Sequence, residues 1–459
     1  MSETVVDTNI GVQDGQNKCP KCGATCIKLN VSSSLLRCSS CRYEFQPERA
    51  VGLDTDLSRL EGKIVGSGTL NIAADAESII TLKCTSCGAE VVIDTNESAQ
   101  ARCHWCRNTL SINQQIPNGS VPDMVLPFNM AKENAQTEIQ RFVNKRRFYA
   151  HPAFKNEFCT ENIMGVYLPY MVINKNTHAA FSGQGERLVR KYSIDDDDYY
   201  DADVYNVACE FDMVIDGLTI ISSTDKLDRT SDRTNNIINA IKPFDHENCV
   251  KWNANYLRGF ASEKRDTNIE DLQNSVEMKA RDIARHNANK LLTEYDRGMN
   301  WSKEDLNIKG QQWKAAYLPI WLYSYQQIKS GGRNLLHYVA VNARTAKTMG
   351  SVPLNKLKLF LVSLIIQIFA TIITLIIMLP GYAGSELGLV ILGVGFLYYF
   401  YIYRKYRNKD ARFKHEEDTK SIMSNVKRSD VYIERLKSLR SPFIEGVNSI
   451  NVKYDITKS

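Results

Sequence analysis

The chain has 459 residues, of which 43% are apolar and 24% charged, enough for two or three domains with buried cores. Its formal charge of +5 sits at the C-terminal end: from Arg404 onward 14 Lys/Arg face 8 Asp/Glu, leaving Met1–Tyr403 at −1. A body without a basic field excludes a protein that gathers nucleic acid chiefly by counterion release.

Residues 1–17, MSETVVDTNIGVQDGQN, are polar and lack the basic start and apolar run of a signal peptide. They read as a disordered lead-in. The cysteines beyond them are therefore expected in a reducing compartment, where cysteines are more often metal ligands than disulfides.

Eight of the 12 cysteines form four C-x-x-C knuckles: Cys19/Cys22, Cys38/Cys41, Cys84/Cys87 and Cys103/Cys106. Fifteen residues separate the first two knuckles and 15 the last two, the spacing at which a short hairpin closes four thiolates around one ion. KCPKCGATCIKLNVSSSLLRCSSCR from Lys18 also aligns without gaps on KCTSCGAEVVIDTNESAQARCHWCR from Lys83. Two four-cysteine zinc ribbons are predicted, over 18–46 and 83–112, each binding one structural Zn2+. Gly23 and Gly88 suit a left-handed turn after each first knuckle. A redox dithiol would need a βαβ setting and no second knuckle, and a catalytic zinc would need an open coordination position. His104 and Trp105 sit at a knuckle tip, where they either pack or meet a partner.

Lys18, Lys21, Arg37, Lys83, Arg102 and Arg107 neighbour the thiolates and are expected to offset their charge. Ribbon one carries five basic residues and one acidic, ribbon two three of each; four thiolates outweigh one ion by about two charges, which argues against nucleic acid. Cys26 aligns with the apolar Val91 and is expected to be a buried thiol. Cys159, Cys209 and Cys249 read as structural thiols.

Residues 47–82 form a linker with a Gly66-Ser67-Gly68 element that is no Walker A loop. From 121 to 353 the pattern is that of an α+β domain. Asn129 is expected to cap a helix whose stripe is Ala131, Ala135, Ile139, Phe142 and Val143. A longer helix repeats that period through Ile269, Leu272, Val276, Ala280, Ile283, Asn287 and Leu291. Strand-like runs cover 165–173, 204–215, 315–325 and 334–342. Tyr-Leu-Pro recurs at Tyr167 and Tyr317, each time ahead of an apolar strand, which suggests a duplicated helix-then-strand unit. The acidic run at 195–203 reads as a solvated loop. Five histidines of this domain, His151, His178, His246, His286 and His337, lack ligand spacing, and no motif marks an enzyme.

Residues 359–379 carry no charge over a length that spans a hydrocarbon core, and 387–403 form a second apolar run. A two-span transmembrane hairpin over 356–403 is predicted. The basic residues flank it on both sides, which places both termini in the cytoplasm of a multi-pass membrane protein. Arg404, Lys405, Arg407, Lys409, Arg412 and Lys414 either touch anionic lipid or only set the topology. In the remainder of the 404–459 tail, Ile422, Val426, Ile433 and Leu436 suggest an amphipathic cytoplasmic helix ending near Ser441-Pro442.

The knuckles, followed by GVYLPY, KPFDHE (242–247), NYLRGFASEK (255–264), YLPIWLYSY and VNARTAKTMGSVP (341–353) ahead of the spans, resemble a bacterial family of membrane-anchored zinc-ribbon proteins of transcription-factor-IIB type. These are often labelled primosomal-protein-N′-like or phage-replication-like. The sequence departs from the family at Ala343 and Ala346, where the pattern tends to glycine. The resemblance implies a membrane-stress setting in which a flotillin-like protein and a phage-shock-protein-A-like coat protein are partners. It supplies no catalytic residue. The expected function is therefore a membrane-anchored, zinc-binding adaptor that docks cytoplasmic and membrane proteins. The alternatives are a membrane-tethered nucleic-acid regulator and an enzyme of unknown chemistry.

Overall fold

A computed structural model describes residues 3–6, 19–46, 49–50, 56–70, 79–83, 90–94, 115–116, 122–194, 197–223, 240–257, 260–263, 265, 267–328, 334–378, 393–407, 424–426, 432–437, 441–444 and 457–458. In chain order the strands are β1 (Glu3–Val6), β2 (Ile27–Asn30), β3 (Leu35–Cys38), β4 (Glu44–Phe45), β5 (Gly62–Gly66), β6 (Ile79–Lys83), β7 (Glu90–Asp94), β8 (Gln115–Ile116) and β9 (Met124–Val125). Helices α1 (Lys132–Asn144) and α2 (Pro152–Glu157) precede β10 (Met164–Ile194), β11 (Asp197–Ile221), β12 (Val250–Lys251) and β13 (Ala261–Ser262). Helix α3 (Ile269–Leu291) leads to β14 (Gly298–Ile328), β15 (Asn334–Asn342) and β16 (Thr348–Gly350). Two apolar helices follow, α4 (Lys356–Met378) and α5 (Val394–Arg407), and then β17 (Ser424–Val426), β18 (Tyr432–Lys437), β19 (Ser441–Ile444) and β20 (Thr457–Lys458).

The frame is a mixed sheet with the path β1-β5-β14-β10-β11-β18-β20. Its central strands β10 and β14 are 31 residues each, roughly 100 Å if fully extended. Register shifts between Ile173 and Lys175, Asn176 and Thr177, Ser182 and Gly183, and Leu188 and Arg190 interrupt the ladder. Such bulges let a long ribbon bend without losing its pairing.

At one end the sheet is covered on both faces, and there the strands read as continuous apolar runs rather than alternating ones. Tyr167, Tyr317, Trp321 and Tyr323 pack with α1 residues Ile139 and Val143 on one face. Val166, Leu168, Leu318 and Ile320 pack with Ile241 and Phe244 on the other. Farther along, α3 lays Leu272, Val276, Ala280 and Ile283 against Met171, Phe181, Phe211 and Trp313.

The two Tyr-Leu-Pro segments lie on neighbouring antiparallel strands with Leu168 opposite Leu318. Their surroundings repeat about that point. β9 runs parallel beside Ala316–Tyr317, and β13 runs parallel beside Val166–Tyr167. The Leu126 N–H donates to the Tyr317 carbonyl as the Glu263 N–H does to Tyr167, and Ser222 and Ala343 likewise donate to Pro169 and Pro319. The duplicated unit is therefore a short strand, a helix and a long strand, related by a local twofold.

Several expectations change. Helix α1 is capped at Ala131, without a side-chain cap; Asn129 instead accepts a hydrogen bond from Ser34 Oγ at 3.1 Å. Helix α3 has a capping box between Asn268 and Asp271. The lead-in contributes β1, paired with β5, and the linker contributes β5, paired with β14. The acidic run from Asp197 onward belongs to β11: Asp201 takes the Arg190 guanidinium at 2.7 Å, and Tyr200 and Ala202 are buried. The tail forms strands, with Val426 in β17 and Ile433 and Leu436 in β18, all paired to β11; Ile422 lies outside the described residues. The open edge of β11 offers a row of N–H and C=O groups, and their pairing outweighs a weak helical period.

Gly66-Ser67-Gly68 is neither linker nor phosphate loop. Asp123, fully buried, accepts from the Gly68 N–H at 2.6 Å, Thr69 Oγ1 at 2.6 Å and the Ala315 N–H at 2.7 Å. A Cβ on Gly66 would stand 2.4 Å from that carboxylate, so the glycine admits the acid. Arg265 closes the group by donating to the carbonyls of Thr69 and Leu70.

Candidate metal centre and its mounting

Cys19, Cys22, Cys38 and Cys41 come together at the tip of the β2-β3-β4 sheet, all four sulfurs within 4.8 Å of one another. Cys19 and Cys41 stand 3.6 Å apart, as do Cys22 and Cys38. Four thiolates at roughly 2.3 Å from a central ion would be about 3.8 Å apart, so the donor set fits one metal ion. A sphere closed by four thiolates would leave no position for water or substrate, the arrangement of structural rather than catalytic metal sites.

The two knuckles share one backbone pattern. The Cys19 N–H donates to the Ala24 carbonyl and the Gly23 N–H to that of Cys19; the Cys38 N–H donates to Tyr43 and the Arg42 N–H to Cys38. The residue after each second cysteine is left-handed: Gly23 at φ +73° and Arg42 at φ +61°. The N–H groups of Cys41 and Ser40 lower the pKa of the Cys38 thiol, which favours the thiolate form that binds a metal.

Of the expected charge-offsetting cations, the two whose side chains are described point elsewhere. Lys21 lies over the Tyr43 ring at 5.6 Å, and Arg37 reaches Glu44 at 3.7 Å. Lys18, Arg102 and Arg107 lie outside the described residues, as does the Lys83 side chain. Cys26 is exposed rather than buried, because its position faces away from the Ile27 and Leu36 core; Cys209 and Cys249 are buried and Cys159 partly so. Cys84, Cys87, Cys103 and Cys106, with Gly88, His104 and Trp105, also lie outside the described residues. The strands β6, β7 and β8 beside them form a second three-stranded sheet.

Ribbon one is fixed to the central domain. Ile27 and Leu36 are fully buried in the core built by Phe128, Tyr167 and Trp321. Arg344 ties three elements: it grips Asp245 at 2.7 Å, and also donates to the Pro127 carbonyl and Ser34 Oγ. Asn342 donates to the carbonyls of Ile241 and Pro243, and Lys347 to that of Lys242. KPFDHE and VNARTAKT are thus two halves of one interlock. Ala346 in that turn has φ +61°, the left-handed conformation in which glycine is favoured.

The same domain holds the apolar helices. Lys356–Leu375 of α4 is long and apolar enough to cross a membrane, with Phe369 63% exposed. Of the second expected span, only the part from Gly393 is described, with α5 starting at Val394, while 379–392 lie outside. Helix α5 packs closely on α4: the Gly395 N–H donates to Gln367 Oε1 at 2.9 Å, and a Cβ there would meet the Ser363 carbonyl at 2.6 Å. At the foot, the Tyr149 and Tyr398 hydroxyls share a 2.8 Å hydrogen bond. Tyr406 accepts from the Tyr149 N–H at 3.2 Å and donates to the Arg146 carbonyl. Leu359 is buried among these rings. Sequence reasoning misses this tyrosine dock, because Tyr149 lies about 250 residues from Tyr398 and Tyr406 in the chain.

Of the expected lipid contacts, Arg404 and Lys405 are exposed at the end of α5; the side chains of Arg407, Lys409, Arg412 and Lys414 are outside the described residues.

No protein-family model matches the chain, and no solved structure matches it. It is 21% identical over 235 residues to the uncharacterized protein YdjG of Bacillus subtilis (strain 168). That alignment covers 51% of this chain and 64% of the relative, so less than two thirds of the relative's length is spanned.

Proposed function

We propose that the protein is a membrane-anchored, zinc-binding adaptor that presents a docking surface to protein partners at the inner face of a bacterial membrane. The observation that carries this reading is the mounting of a closed four-cysteine site on a domain that also grips an apolar helix. A closed metal site rigidifies a small surface, and the helix holds that surface at the lipid. Zinc is the ion that four thiolates at this spacing favour. The aligned knuckles at Cys84, Cys87, Cys103 and Cys106 bring the count to two ions per chain.

In this reading α4 and residues 387–403 make a two-span hairpin with both termini cytoplasmic, and the Arg404–Lys414 cations rest on anionic headgroups. The partner classes are those that the resemblance implies, a flotillin-like protein and a phage-shock-protein-A-like coat protein.

The test compares partners cross-linked in native membranes to the wild type and to Cys38→Ser. The variant is expected to lose one zinc by elemental analysis, stay membrane-integrated and lose the cross-linked membrane-stress partners. Recovery of nucleic-acid machinery alone, or an unchanged partner set after loss of the metal, would sink the adaptor reading.

A further inference from the structure

Beside the foot of α4 lies a pocket of about 130 Å³ lined by Gln140, Asn144, Arg147, Phe154, Lys155 and Phe158, with Val143 beneath. It is smaller than the roughly 300–1,000 Å³ of ordinary small-molecule sites, too small for a cofactor. Its lining combines three apolar side chains with two cations and two amides and holds no carboxylate.

The cations there are crowded. Lys155 Nζ and Lys358 Nζ both donate to the Phe148 carbonyl, at 3.4 and 3.0 Å. Arg147 is close enough to join Lys358 in lowering the Lys155 pKa, after desolvation as the leading cause. Among the described residues none of the three has an ion-pair partner. Glu157, the nearest acid in sequence, stands by Tyr323 and Tyr325. Three positive charges without a counter-charge make a local field that attracts an anion.

The position says which anion. Lys358 lies in the first turn of α4, directly ahead of its apolar stretch, and covers the Phe148 ring at 3.8 Å. Phe148 is 60% exposed, an aromatic side chain at the level where the helix enters lipid. A cationic, amide-rimmed pocket at that depth, flanked by an exposed aromatic ring, meets headgroup phosphates rather than solutes of the cytosol.

We infer that Arg147, Lys155 and Lys358, with Gln140 and Asn144, bind the phosphate of an anionic phospholipid headgroup, and that Phe148 inserts beside it. This site is separate from the cations at 404–414, and it rests on the reading of α4 as a membrane span.

Full-length protein reconstituted in vesicles with a photoactivatable phosphatidylglycerol tests it. Cross-links should map to 140–158, and Arg147→Gln and Lys155→Gln should each reduce them about fivefold, while resistance to carbonate extraction is unchanged. Equal cross-linking by a photoactivatable phosphatidylcholine would overturn the proposal. Competition by inorganic phosphate would make this a soluble-anion site and overturn it as well. Loss of carbonate resistance in the wild type would instead remove the membrane span on which the site depends, and the proposal with it.

Discussion

Ala346 and Lys175 are two side chains at which the fold is under strain. Ala346 holds a left-handed φ of +61°, which costs an L-residue roughly 1–2 kcal/mol, partly offset by the freedom glycine would lose on folding. Ala346→Gly is therefore expected to raise stability by about 0.5–1 kcal/mol, read as a higher melting temperature. A lower one would show that the turn has another requirement. Lys175 is 1% exposed, and desolvation, opposed in part by Glu277, brings it down to about 8 from 10.5. A lysine with the lower folded value binds fewer protons when folded, so its burial weakens the protein fully below about pH 8. That penalty is relieved as the pH rises toward the unfolded value. Lys175→Met should then stabilise by roughly 2–3 kcal/mol near neutrality, with the advantage shrinking above about pH 8. A gain that does not vary with pH would show that packing, not charge, is the cause.

Between elements, the attachments are polar interlocks laid over apolar contact. The Asp123 cradle pins β5 and its following turn to β14 through three hydrogen bonds; a buried, fully bonded carboxylate holds position because losing any donor leaves a costly unmet charge. Arg344 does the same between the 342–346 turn, Asp245 and the hairpin of ribbon one. The tyrosine dock does so between the domain and the apolar helices. Each lock joins residues far apart in sequence. The motif strings are legible before folding, but their pairing is not, because no local period records which carbonyl a distant side chain will meet. The apolar stripes of α1 and α3 are better marked: Ala135, Ile139, Phe142 and Val143, and Leu272, Val276, Ala280 and Ile283, are all buried.

At the scale of the whole molecule, the long β10, β11 and β14 ribbon carries ribbon one and the helices α4 and α5 on a single frame. The proposed topology predicts labelling by a membrane-impermeant thiol reagent. A cysteine at Ser385, between the two apolar runs, should react in intact cells, whereas native Cys26, exposed on ribbon one, should react only after permeabilisation. The reverse pattern, or reaction of both in intact cells, would invert or abolish the two-span arrangement.

The sequence by itself determined the thiolate set and the apolar span. Four sulfurs on two C-x-x-C turns have one compact way to meet, and a long charge-free helix has few places to go. Periodicity likewise marked the buried faces of the long helices. Only the tertiary structure decided that the lead-in, linker and tail supply strands, that the two Tyr-Leu-Pro segments face each other across one ladder, and that Arg147, Lys155 and Lys358 gather at the foot of α4. Strand edges accept partners from anywhere in the chain, and a cation gathers neighbours through space rather than along the sequence, so neither leaves a local signature.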